Sequence, residues 1–354
     1  MADFTVVLCI AFLVLAVFVV LLRGRRNGPS DRPSDTCLLP NNKIVHHLRK
    51  NETDLLYGEI FGGDCYKLPD EDEDAEWMRI ELRPGDVIVD VGANIGMFAL
   101  WAAWHESLAG SARILSFECV PSTFAVLEKN AARHSHGRCR IEAFGFGLSD
   151  AERTATIFHH PNFSIWSTSK RDMDSARDAM LRENLPHLAA RASERSDLPA
   201  ALRWLPSPLF QSVARWGGGR LIGALNKVEA VECRFRRLSD VVFAEGRVER
   251  IALLKIDVEG AELDVLRGID AEHWSRIDMV AMEVENDALA AQVTALLETI
   301  GGFTVRTWVS ADMAKLLPTS QVRQLLAKRT TSSKKTKTAA AARTRRKKAS
   351  PAKR

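Results

Sequence analysis

Asp86 to Gly96 reads DVIVDVGANIG, a β-branched apolar run that ends in an acid and a turn bearing Gly92 and Gly96. Val and Ile favour a pleated, packed surface, glycine lets the chain turn tightly, and Met97 to His105 continues with helical apolar spacing. A strand that is apolar on both faces must be covered on both faces. The chemistry therefore calls for a mostly parallel sheet between helices. The unit recurs. Arg113 to Phe117 predicts a second strand, Ser122 to Ala132 a helix, Arg140 to Phe144 a third strand and Thr154 to Phe158 a short fourth. Ile251 to Ile256 and Met279 to Val284 read as further buried strands, separated by a helix through Leu263, Val265 and Leu266.

The loops after these strands carry the polar chemistry. Asp90, Gly92, Asn94 and Gly96 close the first strand, where a backbone turn opens onto a helix N-terminus and receives a nucleotide-like ligand. The dinucleotide fingerprint is absent, because Asn94 and Met97 stand where its second and third glycines belong. Asp90 also repels pyrophosphate and suits a cationic aminoacyl and sulfonium group. Glu118 ends the second strand 22 residues after Gly96, the place for an acid on ribose hydroxyls. Gly147, beyond the third strand, is assigned to the same cofactor site. A later strand ends in Lys255-Ile-Asp257-Val-Glu259-Gly-Ala-Glu262, at the sheet edge where open α/β folds bind ligands. Lys255 needs a partner if buried, and the neighbouring acids offer one.

The pairing of VIVDVGANIG with KIDVEGAELDVLRG resembles the FkbM-type family of class I methyltransferases. The likeness extends upstream through Glu52-Thr-Asp-Leu-Leu-Tyr57-Gly-Glu59-Ile-Phe61. Downstream it runs through Arg237-Leu-Ser-Asp240 and Met282-Glu283-Val284 to Gly302-Phe303, covering about Asn51 to Val309. The resemblance implies a Rossmann-like fold, S-adenosylmethionine as methyl donor, and O-methylation of a hydroxyl on a sugar, lipid or secondary metabolite. In-line displacement then needs orientation and a base for the acceptor proton. Asp257 is the first candidate, with Glu259, Glu262, His159 and His160 behind it, and Asp257 also counts among the cofactor-binding residues. No metal motif is visible. The six cysteines form no CxxC pair and no zinc-ligand cluster.

The ends of the chain differ from this body. Phe4 to Leu22 is an uncharged apolar run that predicts a transmembrane helix, with residues 1–26 as anchor. Arg23, Arg25 and Arg26 follow it while Asp3 is the only charge before it, so the positive-inside rule puts the domain in the cytoplasm. The sequons at Asn51 and Asn162 keep a luminal domain as the alternative. Residues 27–50 read as a stalk, 51–309 as the catalytic domain with a helical insert at 171–227, and 310–327 as a helical segment. The acid run Asp70 to Glu76 reads as solvated surface, and Thr53 as the N-cap of a helix through Ile60. Lys328 to Arg354 carries 12 basic residues and no acid, leaving 37 basic against 45 acidic in the rest. That composition predicts a disordered tail for anionic lipid, with nucleic acid the weaker partner. The competing function is a non-catalytic membrane tether that keeps the fold, against which Asp90, Gly92, Glu118 and Asp257 all stand intact.

Overall fold

A computed structural model describes residues 35–62, 66–161, 164–172, 179–180, 183, 228–310 and 320–329. The transmembrane run, nearly all of the insert and the tail beyond Arg329 lie outside the described residues. Among the described residues no helix is long and apolar enough to cross a membrane.

The chain opens with a hairpin of β1 (Thr36–Leu38) and β2 (Ile44–His46), then α1 (Lys50–Phe61) and the short α2 (Ala75–Met78). The central sheet takes β3 (Asp86–Val91), β4 (Ser111–Phe117), β5 (Arg138–Phe144), β9 (Leu253–Ile256), β10 (Met279–Val284), β11 (Phe303–Trp308) and β12 (Arg323–Arg329). Its order is β5-β4-β3-β9-β10-β12-β11, parallel except for β12, which runs against both neighbours. Helices α3 (Met97–Trp104), α4 (Pro121–His134), α6 (Glu262–Arg267) and α7 (Asp287–Gly301) fill the crossovers, while α5 (Leu238–Val242) precedes β9.

Alternation along the strands builds two cores. Val89, Leu115, Leu254, Val280 and Leu325 point to one side of the sheet, and Ile88, Ile114, Leu253, Ala281 and Leu326 to the other. Successive side chains of a strand face opposite ways, so two apolar neighbours in sequence belong to two different cores. A second, three-stranded sheet joins β6 (Gly147–Leu148), β8 (Glu229–Arg236) and β7 (Arg153–His159), with β8 central.

Five expectations need correction. Residues 36–46 are no stalk: Cys37, Leu39 and Val45 are buried in the core beneath α3. The Asn130 side chain of α4 accepts from the His46 amide at 2.7 Å and donates to the His46 carbonyl at 3.0 Å. Thr53 does not cap α1, whose N-cap is Arg49. Thr53 lies fully buried a turn inside and donates its hydroxyl to the Arg49 carbonyl. The acid run is not simply solvated, since Asp72 and Asp74 both pair with Arg306 of β11. Thr154 to Phe158 belongs to the second sheet, paired with β8, whose alternating charges hid it. The segment read as helical through residue 327 ends in β12, which also takes Lys328 and Arg329 from the predicted tail and buries Leu325, Leu326 and Ala327.

Because β12 lies inside the sheet and is the hydrogen-bonded neighbour of β11, the domain does not end at Val309. A chain cut there should lose cooperative thermal unfolding, read by circular dichroism; retention of a sharp transition would show β12 to be dispensable.

Candidate functional site

The carboxyl ends of β3, β4 and β9 meet around one ammonium. Lys255, 5% exposed, places its Nζ 3.1 Å from Asp90 Oδ1 and 3.5 Å from Asp257 Oδ2, and donates to the Gly92 carbonyl at 2.9 Å. Asp90 is fully buried; loss of water pushes its carboxyl up and Lys255 pulls it back down. The first strand's turn is thus tied to the β9 edge. Gly92, at φ +73°, admits no side chain, since a Cβ there would stand 1.8 Å from the Asp257 carbonyl oxygen. Gly96, at φ +93°, presses against Leu127 as it opens α3.

Glu118 closes the other side of the turn. One of its oxygens accepts from the Asn94 amide at 3.0 Å and the other from the Val120 amide at 2.8 Å. Burial pushes this carboxyl up to about 7, against the pull of those two amides. Each carboxylate oxygen offers more than one lone pair, so the same group can still receive two ribose hydroxyls. Gly147 fits beside Phe235, whose ring leaves 2.5 Å for a Cβ.

A cavity of about 320 Å³ runs past these groups. Gly92, Asn94, Glu118, Gly147, Asp257 and Glu259 line it directly, whereas Asp90 and Gly96 stand behind the wall as supports. Glu262, predicted as catalytic, is not among the lining residues. It is 1% exposed, accepts from the Gly260 amide at 2.9 Å as α6 begins, and burial pushes it up to about 8. His159 is equally withdrawn, with Nδ1 2.9 Å from the Ser167 hydroxyl. Apolar walls from Val120, Leu148, Ile157 and Phe235 lie near Glu118, a fit for a flat heterocycle next to a ribose.

Two acids on the wall were not picked out from the sequence. Glu59 of α1 is pushed up to about 7 by loss of water around its carboxyl and by the charge of Asp257. Glu283 of β10 is raised by burial, then by Asp257, Glu285 and Glu59, and accepts from the Gln324 amide at 2.7 Å. The signal was present: an acid inside MVAMEV is as anomalous in a buried strand as Lys255 in LLKI. Among the described residues no group of three or more His, Cys, Asp or Glu side chains is arranged to hold a metal ion.

The open sheet with one reversed strand, the glycine turn and the buried acid at the end of β4 match a class, the Rossmann-like methyltransferases that use S-adenosylmethionine. Within that class the chain belongs to the FkbM methyltransferase family, whose domain model, "Methyltransferase FkbM domain", matches residues 90–303. The 31-O-demethyl-FK506 methyltransferase FkbM of Streptomyces tacrolimicus is 34% identical over 297 residues, 84% of this chain and 97% of that protein. Methyltransferase sdnD of Sordaria araneosa is 31% identical over 262 residues, 72% of this chain and 83% of that protein. The AMB antimetabolite synthetase AmbE of Pseudomonas aeruginosa is 34% identical over 74% of this chain, which spans only 11% of that protein. Among solved structures, Methyltransferase FkbM from Methylobacillus flagellatus aligns at 13% identity with a TM-score of 0.39, over 74% of this chain and 48% of that one.

The raised acids fix a pH dependence. Glu59, Glu118 and Glu262 hold protons in the fold, up to about 7, 7 and 8, that an unfolded carboxyl with its ordinary value of 4.5 has already lost. A group protonated only in the native state stabilises it less as pH rises through the native pKa. Calorimetric midpoints of the ligand-free protein should therefore fall from about pH 4.5 to about pH 8 and level off above that, with a shallower fall in Glu262→Gln. A flat or rising midpoint would contradict these assignments.

Proposed function

We propose that this chain transfers a methyl group from S-adenosylmethionine to a hydroxyl of a glycan, lipid or secondary metabolite. The observation that carries this reading is that the cofactor turn, the ribose acid and the Asp257 carboxylate line a single cavity. The name of the 31-O-demethyl-FK506 methyltransferase, a relative spanned over nearly its full length, favours oxygen as the acceptor atom.

When bound, S-adenosylmethionine supplies a methyl group on a positively charged sulfur. The chain's own residues do the rest. Glu118 holds the ribose, the Gly92 backbone permits close approach, and the walls near Val120 and Phe235 take the base. Lys255 fixes the angle of Asp257 through its contact at 3.5 Å. The Asp257 side chain is 38% exposed, so it reaches the cavity and can accept the hydroxyl proton as the acceptor oxygen attacks. Positioning contributes most, because a bimolecular displacement gains chiefly from alignment and exclusion of water.

Asp257→Asn keeps the shape and removes the basicity. Turnover should drop about 100-fold or more, while calorimetric affinity for S-adenosylhomocysteine changes far less. Equal losses in both would make Asp257 a cofactor or structural residue, and wild-type turnover would remove it from the reaction.

We place this chemistry at a membrane, with Phe4 to Leu22 as a single-pass anchor, the domain on the cytoplasmic side, and the Lys and Arg from Lys334 to Arg354, beyond β12, as a contact for anionic lipid. The support is compositional: the apolar run, the flanking arginines and the acid-free tail. The protein should stay with membranes after carbonate extraction and expose its domain to protease from the cytoplasmic side. Glycan at Asn51 or Asn162 would show a luminal domain, and release by carbonate would show that there is no anchor.

A further inference from the structure

The roof of the cavity is a strap, Ser164 to Ser169, that contributes Ser164, Ile165, Trp166, Ser167 and Ser169 to its lining. The strap is fastened at two ends. At the far end Phe158 and Thr168 exchange backbone hydrogen bonds at 2.8 and 3.2 Å. There the Thr168 hydroxyl also donates to the Glu259 carbonyl at 2.6 Å, and Lys170 pairs with Asp264 at 3.0 Å. At the near end the first turn of α1 does the holding. Arg49 Nε donates to the Pro161 carbonyl at 2.9 Å, and Glu52 Oε1 accepts from the Ser164 hydroxyl at 2.7 Å and the Ile165 amide at 2.9 Å.

Glu52 is 4% exposed. A carboxylate so placed is costly unless hydrogen-bonded, and both of these bonds come from the strap. Loss of water raises its pKa, while Ser164 and Ile165 oppose the rise. The Ser164 oxygen also accepts from Asn94 Nδ2 at 2.9 Å. Glu52 is therefore linked, through one hydroxyl, to the glycine turn whose Asn94 amide in turn holds Glu118. The strap connects both motif loops, one through Asn94 and one through the Glu259 carbonyl.

We propose that Glu52 is a positioning residue that latches the Ser164–Ser169 strap over the donor cavity and so sets how long the donor stays bound. The inference rests on the reading of that cavity as the S-adenosylmethionine site. Releasing the latch frees the roof while the glycine turn and Glu118 remain, so the effect belongs mainly to dissociation.

Stopped-flow release of S-adenosylhomocysteine, together with hydrogen exchange of the strap amides, tests this on the full chain. Glu52→Ala should speed dissociation about tenfold or more with association changed less than about threefold, and the Ile165 amide should exchange faster. Glu52→Gln keeps an acceptor oxygen for both donors and should stay within about threefold of wild type. Ser164→Ala removes only the hydroxyl link and should give an intermediate rate, which serves if Glu52→Ala melts too low to measure. Wild-type dissociation in both Glu52→Ala and Ser164→Ala would overturn the latch, as would a glutamine variant as fast as alanine. A wild-type chain that binds no S-adenosylhomocysteine would overturn the donor assignment itself, and the latch with it.

Discussion

One buried ammonium organises the centre of this protein. Lys255 sits in the middle of the sheet, where an unpaired charge is prohibitive, and its neighbours are an aspartate from the next strand, a carbonyl from that strand's turn and an aspartate two residues along its own chain. Each contact has a second effect. The pairing with Asp90 offsets part of the rise that burial imposes on that acid. The bond to the Gly92 carbonyl bends the turn into the shape that only glycine tolerates. The pairing with Asp257 holds a part-exposed carboxylate at the cavity wall without satisfying it fully. Interactions of this kind contribute little net stability, since desolvation offsets much of the attraction, but removing one partner leaves a charge stranded. What the arrangement provides is a fixed relation between two loops that come from distant parts of the chain.

The cavity built around that centre is acidic. Five carboxylates line it, from Glu59, Glu118, Asp257, Glu259 and Glu283, and Lys255 is the one cation among the described lining residues. Such a wall concentrates positive charge and repels phosphate. A donor whose reactive atom is a cationic sulfur suits it, and a dinucleotide does not. Burial, and after it the charge of neighbouring acids, raises Glu59 and Glu283 above the ordinary glutamate value.

Much of the architecture was legible because its signals are local. The apolar runs at Val87, Ile114, Leu253 and Val280 are short and doubly buried, and the acids at Asp90, Glu118 and Asp257 mark strand ends that share one edge. Other features were not legible, for identifiable reasons. Residues Thr36 to His46 pack through only three apolar side chains, too few to distinguish from a linker rich in polar residues. Strand β8 carries a charge at nearly every second position and lies on a small sheet with a solvated face. Strand β12 reads RQLLAKR and merges with basic sequence, so its three buried residues give no period long enough to separate strand from helix. Glu262 stood behind Asp257 as a candidate base in sequence, and the start of α6 turns it inward, a change of direction that spacing alone does not encode. Glu52 looked like any helix surface acid until the strap was seen to cover it.

The position of β12 also bears on how the protein is made. Among the described strands β11 pairs only with β12, and β12 fills the slot beside β10, so the last described strand completes the sheet. On a ribosome the chain emerges from its N-terminus, and until Arg323 to Arg329 clear the exit tunnel the edge of β10 lies open while β11 has no place to bind. The nascent domain spends nearly all of its synthesis as an incomplete sheet with an apolar flank. That interval gives chaperones their opportunity, and it makes a stop codon placed before Arg323 more damaging than the loss of the 7 residues of β12 would by itself suggest.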